Sequence, residues 1–224
     1  MSARAGAGSY PQRAFRLPPD ATEVVLLRHG ASAHAVPGER FPLVDGHGDP
    51  ALAPEGEAQA RAAAERLATE ELAGVFVTPL RRTVQTAAPL AAALGLEPVV
   101  VPELVEVHLG EWEGGEYRIR AHDGDPLIRR VIEAEDWSLI PGAERMDAVA
   151  ARARAGIEAV VAATGLGVSA VAVVHGGIIG ELCRQATGSR PFAFIHADNC
   201  SISRLVVFAD GRWLLRSFND VSHL

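Results

Sequence analysis

What most constrains this chain is an alternation. Short, β-branched apolar runs are separated by longer stretches with helical spacing, and the pattern repeats along almost the whole length. Residues 23–28 (EVVLLR), 74–77 (GVFV), 170–174 (AVAVV) and 201–208 (SISRLVVF) read as strands, with 97–101 (EPVVV) as a weaker fifth. The runs 23–28 and 170–174 are apolar almost throughout, as strands buried on both faces are. Between them, 54–69 carries Ala58, Ala62 and Leu67 at helical spacing. Thr78-Pro79 offers a hydroxyl cap followed by proline at the first helical position, and that helix should stop at Gly95. Helices are also predicted over 144–163 and 178–187, the latter closed by Gly188. Such alternation implies an α/β fold: a three-layer α/β/α sandwich with a mostly parallel central sheet. Two segments break the rhythm, 31–50 and 114–140. Long excursions of this kind in a compact domain act as lids or binding loops.

At 224 residues the chain reads as one domain with insertions, against a prior of roughly 150 residues. That is long enough to bury a core without disulfide or metal staples. Residues 1–22, rich in Ala, Gly, Arg and Pro, have no apolar core. They are expected to form a flexible arm rather than a signal peptide or membrane anchor, which leaves 23–224 as a single domain. Acidic residues outnumber basic ones by 28 to 21, a net charge of −7, so a broad nucleic-acid-binding face is not expected. All 21 basic residues are Arg. The absence of Lys excludes a P-loop NTPase, a protein kinase and a pyridoxal-phosphate enzyme, each of which needs one. Any anion held here is held by guanidinium, imidazole or backbone N–H. Cys183 and Cys200 lack metal-ligand spacing and read as buried free thiols. No segment approaches the ~20 apolar residues of a membrane span, and a cytoplasmic location is expected.

In open α/β sheets ligands bind beyond the carboxyl ends of the strands. The first strand delivers Arg28-His29-Gly30 there. The second delivers Thr78, then Arg81 and Arg82, and the fourth His175-Gly176-Gly177 at the start of a helix. Glu106 follows the weak fifth strand, within 104–114 (LVEVHLGEWEG). Arginines, two histidines and a carboxylate on one edge are the equipment of phosphoryl transfer. Guanidinium grips a dianion in a fork that cannot deprotonate, and glycines at a helix N-terminus expose backbone N–H to phosphate oxygens. Imidazole can attack phosphorus and leave again, while a carboxylic acid can protonate the departing alkoxide. Gly176, Gly177 and Gly180 also hint at a dinucleotide turn, but their spacing is not G-x-G-x-x-G. A lone histidine or glycine pair after a strand is ordinarily structural. The coincidence of four polar elements at equivalent strand ends is what favours chemistry.

These residues resemble the histidine phosphatase superfamily, also called the phosphoglycerate mutase-like family. Arg28-His29-Gly30 after an apolar strand looks like its signature, and 78–87 (TPLRRTVQTA) is similar to its second motif. Residues 104–114 resemble its acid/base motif and 174–177 its second catalytic histidine. Residues 52–60 (LAPEGEAQA) and 141–144 also match, and the motif order is kept over about residues 23–210. The resemblance implies a phosphoglycerate mutase-like fold and a single catalytic domain over 23–224, with lid segments near 31–50 and 114–140. His29 would be the nucleophile that forms a phosphohistidine. Arg28 and Arg82 would clamp the phosphoryl oxygens and His175 would complete the pocket, helped by backbone N–H at Gly176 or Gly177. Glu106 would be the general acid, then the base. Arg81 is read as a solvent-side neighbour, and His34, His47 and His108 as non-catalytic or at most substrate-contacting. No metal and no cofactor are implied.

One departure stands out. Many members have Asn six residues after the nucleophile, where this chain has Ala35. The missing donor is expected from Ser32, His34 or a lid residue. The loss weighs against a mutase, which must hold its phosphoenzyme while the substrate reorients. Arg118 and Arg120 follow Glu106 but lack the paired arrangement of the mutases. The expected function is thus a metal-independent phosphomonoesterase acting on a small phosphorylated metabolite through phosphohistidine. The alternatives are a cofactor-dependent phosphoglycerate mutase and a catalytically silent module that binds a phosphorylated ligand. The expected partner is the small phosphorylated substrate, with no nucleic acid and no membrane, and the chain is a candidate homodimer.

Overall fold

A computed structural model of the chain describes residues 11–224. Strand β1 (Ala21–Arg28) leads to a hairpin of two-residue strands, β2 (Leu43–Val44) and β3 (His47–Gly48). Helix α1 (Pro54–Leu67), β4 (Leu72–Val77), α2 (Arg81–Leu94) and β5 (Val99–Val100) follow. Then come α3 (Glu116–Asp123), α4 (Pro126–Ala134), α5 (Met146–Thr164), β6 (Ser169–Val174), α6 (Gly176–Thr187), β7 (Ile202–Phe208) and β8 (Trp213–Asp220).

The six-stranded sheet has the order β5-β4-β6-β1-β7-β8. Its first four strands are parallel, while β7 and β8 are antiparallel to their neighbours. Alternate side chains of β1 and β6 enter different cores, which explains why these strands are apolar at nearly every position. Val24, Leu26, Ala170, Ala172 and Val174 pack with Val149, Ala153, Ile157 and Val160 of α5 and Ile178, Ile179 and Leu182 of α6. Val25, Leu27, Val171 and Val173 pack with Ala63, Ala64 and Leu67 of α1 and Ala87, Leu90 and Ala91 of α2. The result is the α/β/α sandwich with a mostly parallel central sheet that the alternation implied.

Neighbouring strands β1 and β6 are followed by helices on opposite faces, α1 and α6. The chain therefore diverges at their carboxyl ends and opens a crevice, the switch point at which α/β sheets bind ligands.

The structure departs from the sequence reading at several boundaries. β1 takes in Ala21 and Thr22, fully buried and previously counted with the arm; residues 1–10 of that arm lie outside the described residues. Thr78 does not cap a helix. α2 starts at Arg81 after Leu80, and the buried carboxylate of Asp49 accepts the Arg81 N–H at 2.7 Å in place of a local cap. α6 begins directly after His175, so Gly176 and Gly177 form its first turn. Of 97–101 only Val99 and Val100 pair, on an exposed sheet edge. β8 was not predicted, since its burial follows no apolar run. Segment 31–50 holds the β2–β3 hairpin, whose Asp45-Gly46 turn has positive φ at both residues (47° and 83°), the geometry that matches strand twist. Segment 114–140 holds α3 and α4. Both cysteines are buried and free. No helix among the described residues is long and apolar enough to cross a membrane.

Candidate active site

His29 follows the last residue of β1 and is almost completely buried. Its backbone is tied on both sides: its N–H donates to the Val174 carbonyl at 3.0 Å, and its own carbonyl accepts from the Asn199 side chain at 2.9 Å. The ring Nδ1 lies 2.8 Å from the Gly30 carbonyl. A carbonyl can only accept, so Nδ1 carries the proton. Burial, then the charges of Arg82 and Arg28, hold the pKa well below the ordinary 6.5. The imidazole is therefore neutral, and Nε2 keeps its lone pair, which accepts from Arg82 Nε at 3.2 Å. Gly30 has to be glycine: a Cβ there would sit 2.5 Å from the Gly56 carbonyl oxygen at the start of α1. Gly56, in the stretch 52–60, is required by the same approach from the other side, since a Cβ there would run into the Ala31 carbonyl oxygen.

His175, fully buried at the end of β6, faces His29 with ring centroids 5.2 Å apart and edges tilted by 62°. Its pKa too is held well below 6.5, by burial first and then by Arg82 and His29. Its Nε2 lies 3.0 Å from the Thr78 hydroxyl, which meets the Thr83 hydroxyl at 3.0 Å. Thr78 thus orients a ring, a role that its resemblance to a helix cap concealed.

Three guanidinium groups surround these rings. Arg28 donates through Nη1 to the Ala197 carbonyl at 2.5 Å, and its buried Nε has no hydrogen-bond partner among the described residues. Arg82 donates through Nη1 to the Gly48 carbonyl at 2.8 Å, besides its bond to His29, and burial brings its pKa down to about 10. Arg118, on α3, donates to Ser32 Oγ at 2.8 Å and to the Ala33 carbonyl at 2.9 Å. Arg81 points elsewhere, half exposed and paired with Asp49 at 2.9 Å. Arg120 also turns away, to Glu116 and Asp125.

The Glu106 carboxylate accepts from Val107 N at 3.0 Å and from Gly177 N at 3.2 Å. Gly177 leaves the space it needs, because a Cβ there would lie 2.6 Å from Glu106 Oε1. The Gly177 N–H therefore serves Glu106 rather than an incoming phosphate, contrary to the sequence reading; Gly176, beside it, also lines the pocket. Ser32 is a second correction. Its backbone bridges to Leu52, and its buried side chain supports Arg118 instead of lining the pocket. Ala35 has no donor to offer, and the residue held against this stretch is Arg118. Neither Glu111 nor His34 lines the pocket. Glu113 does, but its carboxylate is engaged by Gly48 N at 2.7 Å and Leu109 N at 2.9 Å. His108 accepts from Gly110 N, whereas His47 lines the pocket and bonds the Glu106 carbonyl at 3.0 Å.

The cavity holds about 440 Å³, and Arg28, His29, Arg82, Glu106 and Arg118 all line it. Phe41, Leu109, Tyr117, Ile132, Trp137 and Ile195 line it as well, with His196 and Asp198 as further polar groups. Segments 31–50 and 114–140 both contribute walls. No cluster of His, Cys, Asp and Glu suited to a metal occurs among the described residues.

Comparison with known proteins shows which family the chain resembles over most of its length. The family model of the histidine phosphatase superfamily (branch 1) matches residues 24–221. A bifunctional protein of Mycobacterium tuberculosis (strain ATCC 25618 / H37Rv) is 34% identical over 207 residues, covering 91% of this chain. The match covers 55% of that relative, so the chain spans about half its length. A "Probable phosphoglycerate mutase" of Photorhabdus laumondii is 29% identical over 209 residues, 90% of this chain and 94% of its own. Among solved structures, a mycobacterial glucosyl-3-phosphoglycerate phosphatase complexed with VO3 superposes with a TM-score of 0.73 at 30% identity, covering 88% of this chain and 98% of that one.

Proposed function

The chain belongs to the histidine phosphatase superfamily, and from that premise we propose that it is a metal-independent phosphomonoesterase that hydrolyses a small phosphorylated metabolite through a phosphohistidine at His29. The observation that carries this reading is the state of His29: a neutral ring, its Nδ1 proton fixed on Gly30, its Nε2 lone pair facing the pocket beside Arg82.

The steps follow from the groups present. Arg28 and Arg82 hold the phosphoryl oxygens, and His175, fixed by Thr78, closes the pocket behind them. Nε2 attacks phosphorus, the P–O bond to the leaving group breaks, and protonated Glu106 gives its proton to the departing oxygen. Glu106, now a carboxylate, takes a proton from water as that water attacks phosphorus. The P–N bond breaks, inorganic phosphate leaves, and His29 is neutral again. The guanidinium charge lies where negative charge builds up on the transferring group, which is the main source of acceleration in phosphoryl transfer. A cavity of about 440 Å³ suits a metabolite-sized ligand. Its aromatic and aliphatic lining residues support a leaving group that carries some apolar surface.

The full-length likeness to a protein named as a mutase favours a second reading, in which the phosphoryl group passes to another hydroxyl instead of water. One experiment separates the readings. Enzyme mixed rapidly with p-nitrophenyl phosphate and quenched should carry phosphate that is acid-labile and alkali-stable, and steady-state turnover should release inorganic phosphate. His29→Ala should abolish both and leave a folded protein. An alkali-labile adduct, or more than a few per cent residual rate in His29→Ala, refutes the nucleophile. Phosphoenzyme that transfers only to added hydroxyl compounds supports the mutase, and absence of any burst supports a silent binding module.

A further inference from the structure

Arg28, Arg82 and Arg118 line one cavity, and among the described residues none of the three lies within 4.0 Å of a carboxylate oxygen. Other arginines at functional-looking positions behave differently: Arg81, Arg120, Arg152 and Arg204 each have an acidic partner at 2.6–2.9 Å. The three in the cavity are instead held by neutral groups, that is, backbone carbonyls, the ring of His29 and the Ser32 hydroxyl. Glu106 and Asp198 line the same cavity without pairing directly with any of the three, so three like charges are left close together with their N–H donors free of carboxylates, and a fold tolerates that where a ligand supplies the anion.

We propose that Arg118 is a third phosphoryl-binding guanidinium, brought to the anion by α3 and braced on Ser32 and Ala33. The proposal deepens the phosphatase reading and rests on its phosphate site. The bracing is specific. Arg118 bonds residues three and four positions after the nucleophile, so its head group is fixed to the same loop as His29. Its charge is felt at that centre: it helps to lower the pKa of both His29 and Arg82, and Arg28 in turn lowers its own after desolvation. Phe41 lies under the guanidinium at 5.8 Å from the ring centroid, on the side of the 31–50 segment. A guanidinium has five N–H donors. Two nitrogens that bond Ser32 and Ala33 through one hydrogen each still present hydrogens to an anion. Arg118 is exposed whereas Arg82 is buried, so Arg118 reaches the phosphoryl group from the solvent side.

The test uses anions that have no second functional group. Orthovanadate and inorganic phosphate are titrated into the full chain, with the fluorescence of Trp112 and Trp137, both at the cavity, as the signal. Loss of a charge-assisted bond predicts that Arg118→Ala weakens both anions about tenfold or more. Arg120→Ala, on the same helix but turned away, should bind them as wild type does. The melting temperature adds a readout that a merely structural residue would move the other way. Without anion, Arg118→Ala should melt no lower than wild type, since repulsion is relieved, while the phosphate-induced rise in melting temperature should shrink. Should the alanine variant misfold, Arg118→Lys keeps a charge but cannot bridge Ser32, Ala33 and an anion together; a several-fold loss of affinity is expected. Vanadate and phosphate affinities within twofold of wild type in either variant overturn the proposal. So does a loss confined to substrates with an additional carboxylate, which would make Arg118 a reader of the leaving group. If wild type itself binds neither anion, it is the phosphate-site reading that fails.

Discussion

Replacing Gly177 by Ala is a sharp probe of Glu106, because it adds one methyl group and removes no functional atom. The new Cβ would lie 2.6 Å from Glu106 Oε1 and 3.0 Å from Val107 Cγ2, where ordinary contact starts at 3.4 Å. The carboxylate oxygen has to retreat by about 0.8 Å. Oε1 accepts from Val107 N at 3.0 Å while Oε2 of the same carboxylate accepts from Gly177 N at 3.2 Å, so the group cannot retreat and keep both bonds in the same orientation. A displacement near 1 Å at a reacting group costs about 10²-fold, within the roughly 10²–10⁴ that general acid catalysis provides in all. Because Gly177 sits in the first turn of α6, alanine should add up to about 0.5–1 kcal/mol of stability from reduced chain entropy. The expected result is thus a protein that melts no lower than wild type and phosphorylates about 10²-fold more slowly from an alkyl phosphate such as glycerol 2-phosphate. The burst with p-nitrophenyl phosphate should fall only a few-fold, since nitrophenolate departs with little help. Rapid-quench measurement of the burst isolates this first step from hydrolysis of the phosphoenzyme. Equal losses with both substrates would show that Glu106 does not protonate the leaving group, and an unimpaired variant would show that its position does not matter.

Arg82→Lys should lose nearly as much activity as Arg82→Ala. Arg82 uses two nitrogens at once, on His29 and on Gly48, and one ammonium cannot reach both; restored kcat/KM in the lysine variant would disprove the clamp. Stability should fall on acidification below pH 6.5. His29 and His175 stay neutral in the folded protein but take up protons once unfolded, so folding loses about 1.4 kcal/mol per pH unit for each until the depressed folded pKa is reached. Urea unfolding at pH 7.5, 6.0 and 5.0 should show this fall, and His175→Asn should flatten it; a curve that rises toward acid refutes the assignment. Asp49→Ala should lower stability by about 1–2 kcal/mol, because Asp49 supplies the cap that α2 lacks and its ion pair with Arg81. A change below about 0.3 kcal/mol in urea melts would show that the first turn of α2 needs no cap.

The sequence by itself determined the sandwich, because strands apolar at nearly every position are buried on both faces. It also placed Arg28, His29, Arg82, Glu106 and His175 on one edge, since each sits at or just beyond an apolar run and residues there project from the carboxyl ends of parallel strands. Legibility stopped where a residue's partner lies far along the chain. Whether the hydroxyl of Thr78 caps its own helix or orients a histidine ninety-seven positions away depends on β4 lying beside β6. Ser32 looked like a phosphate ligand by proximity in sequence, yet its pairing with Leu52 turns it toward Arg118. Gly177 looked like a bare N–H for phosphate, and only the packing of 104–114 against α6 gave that N–H to Glu106. Arg118 itself carries no local signal, being one arginine among several on a polar stretch. Its place beside the nucleophile comes from how the 114–140 segment folds over the switch point of the sheet. Local periodicity encodes which face is buried, but the pairing of polar groups is set by distances between segments that only the assembled fold fixes.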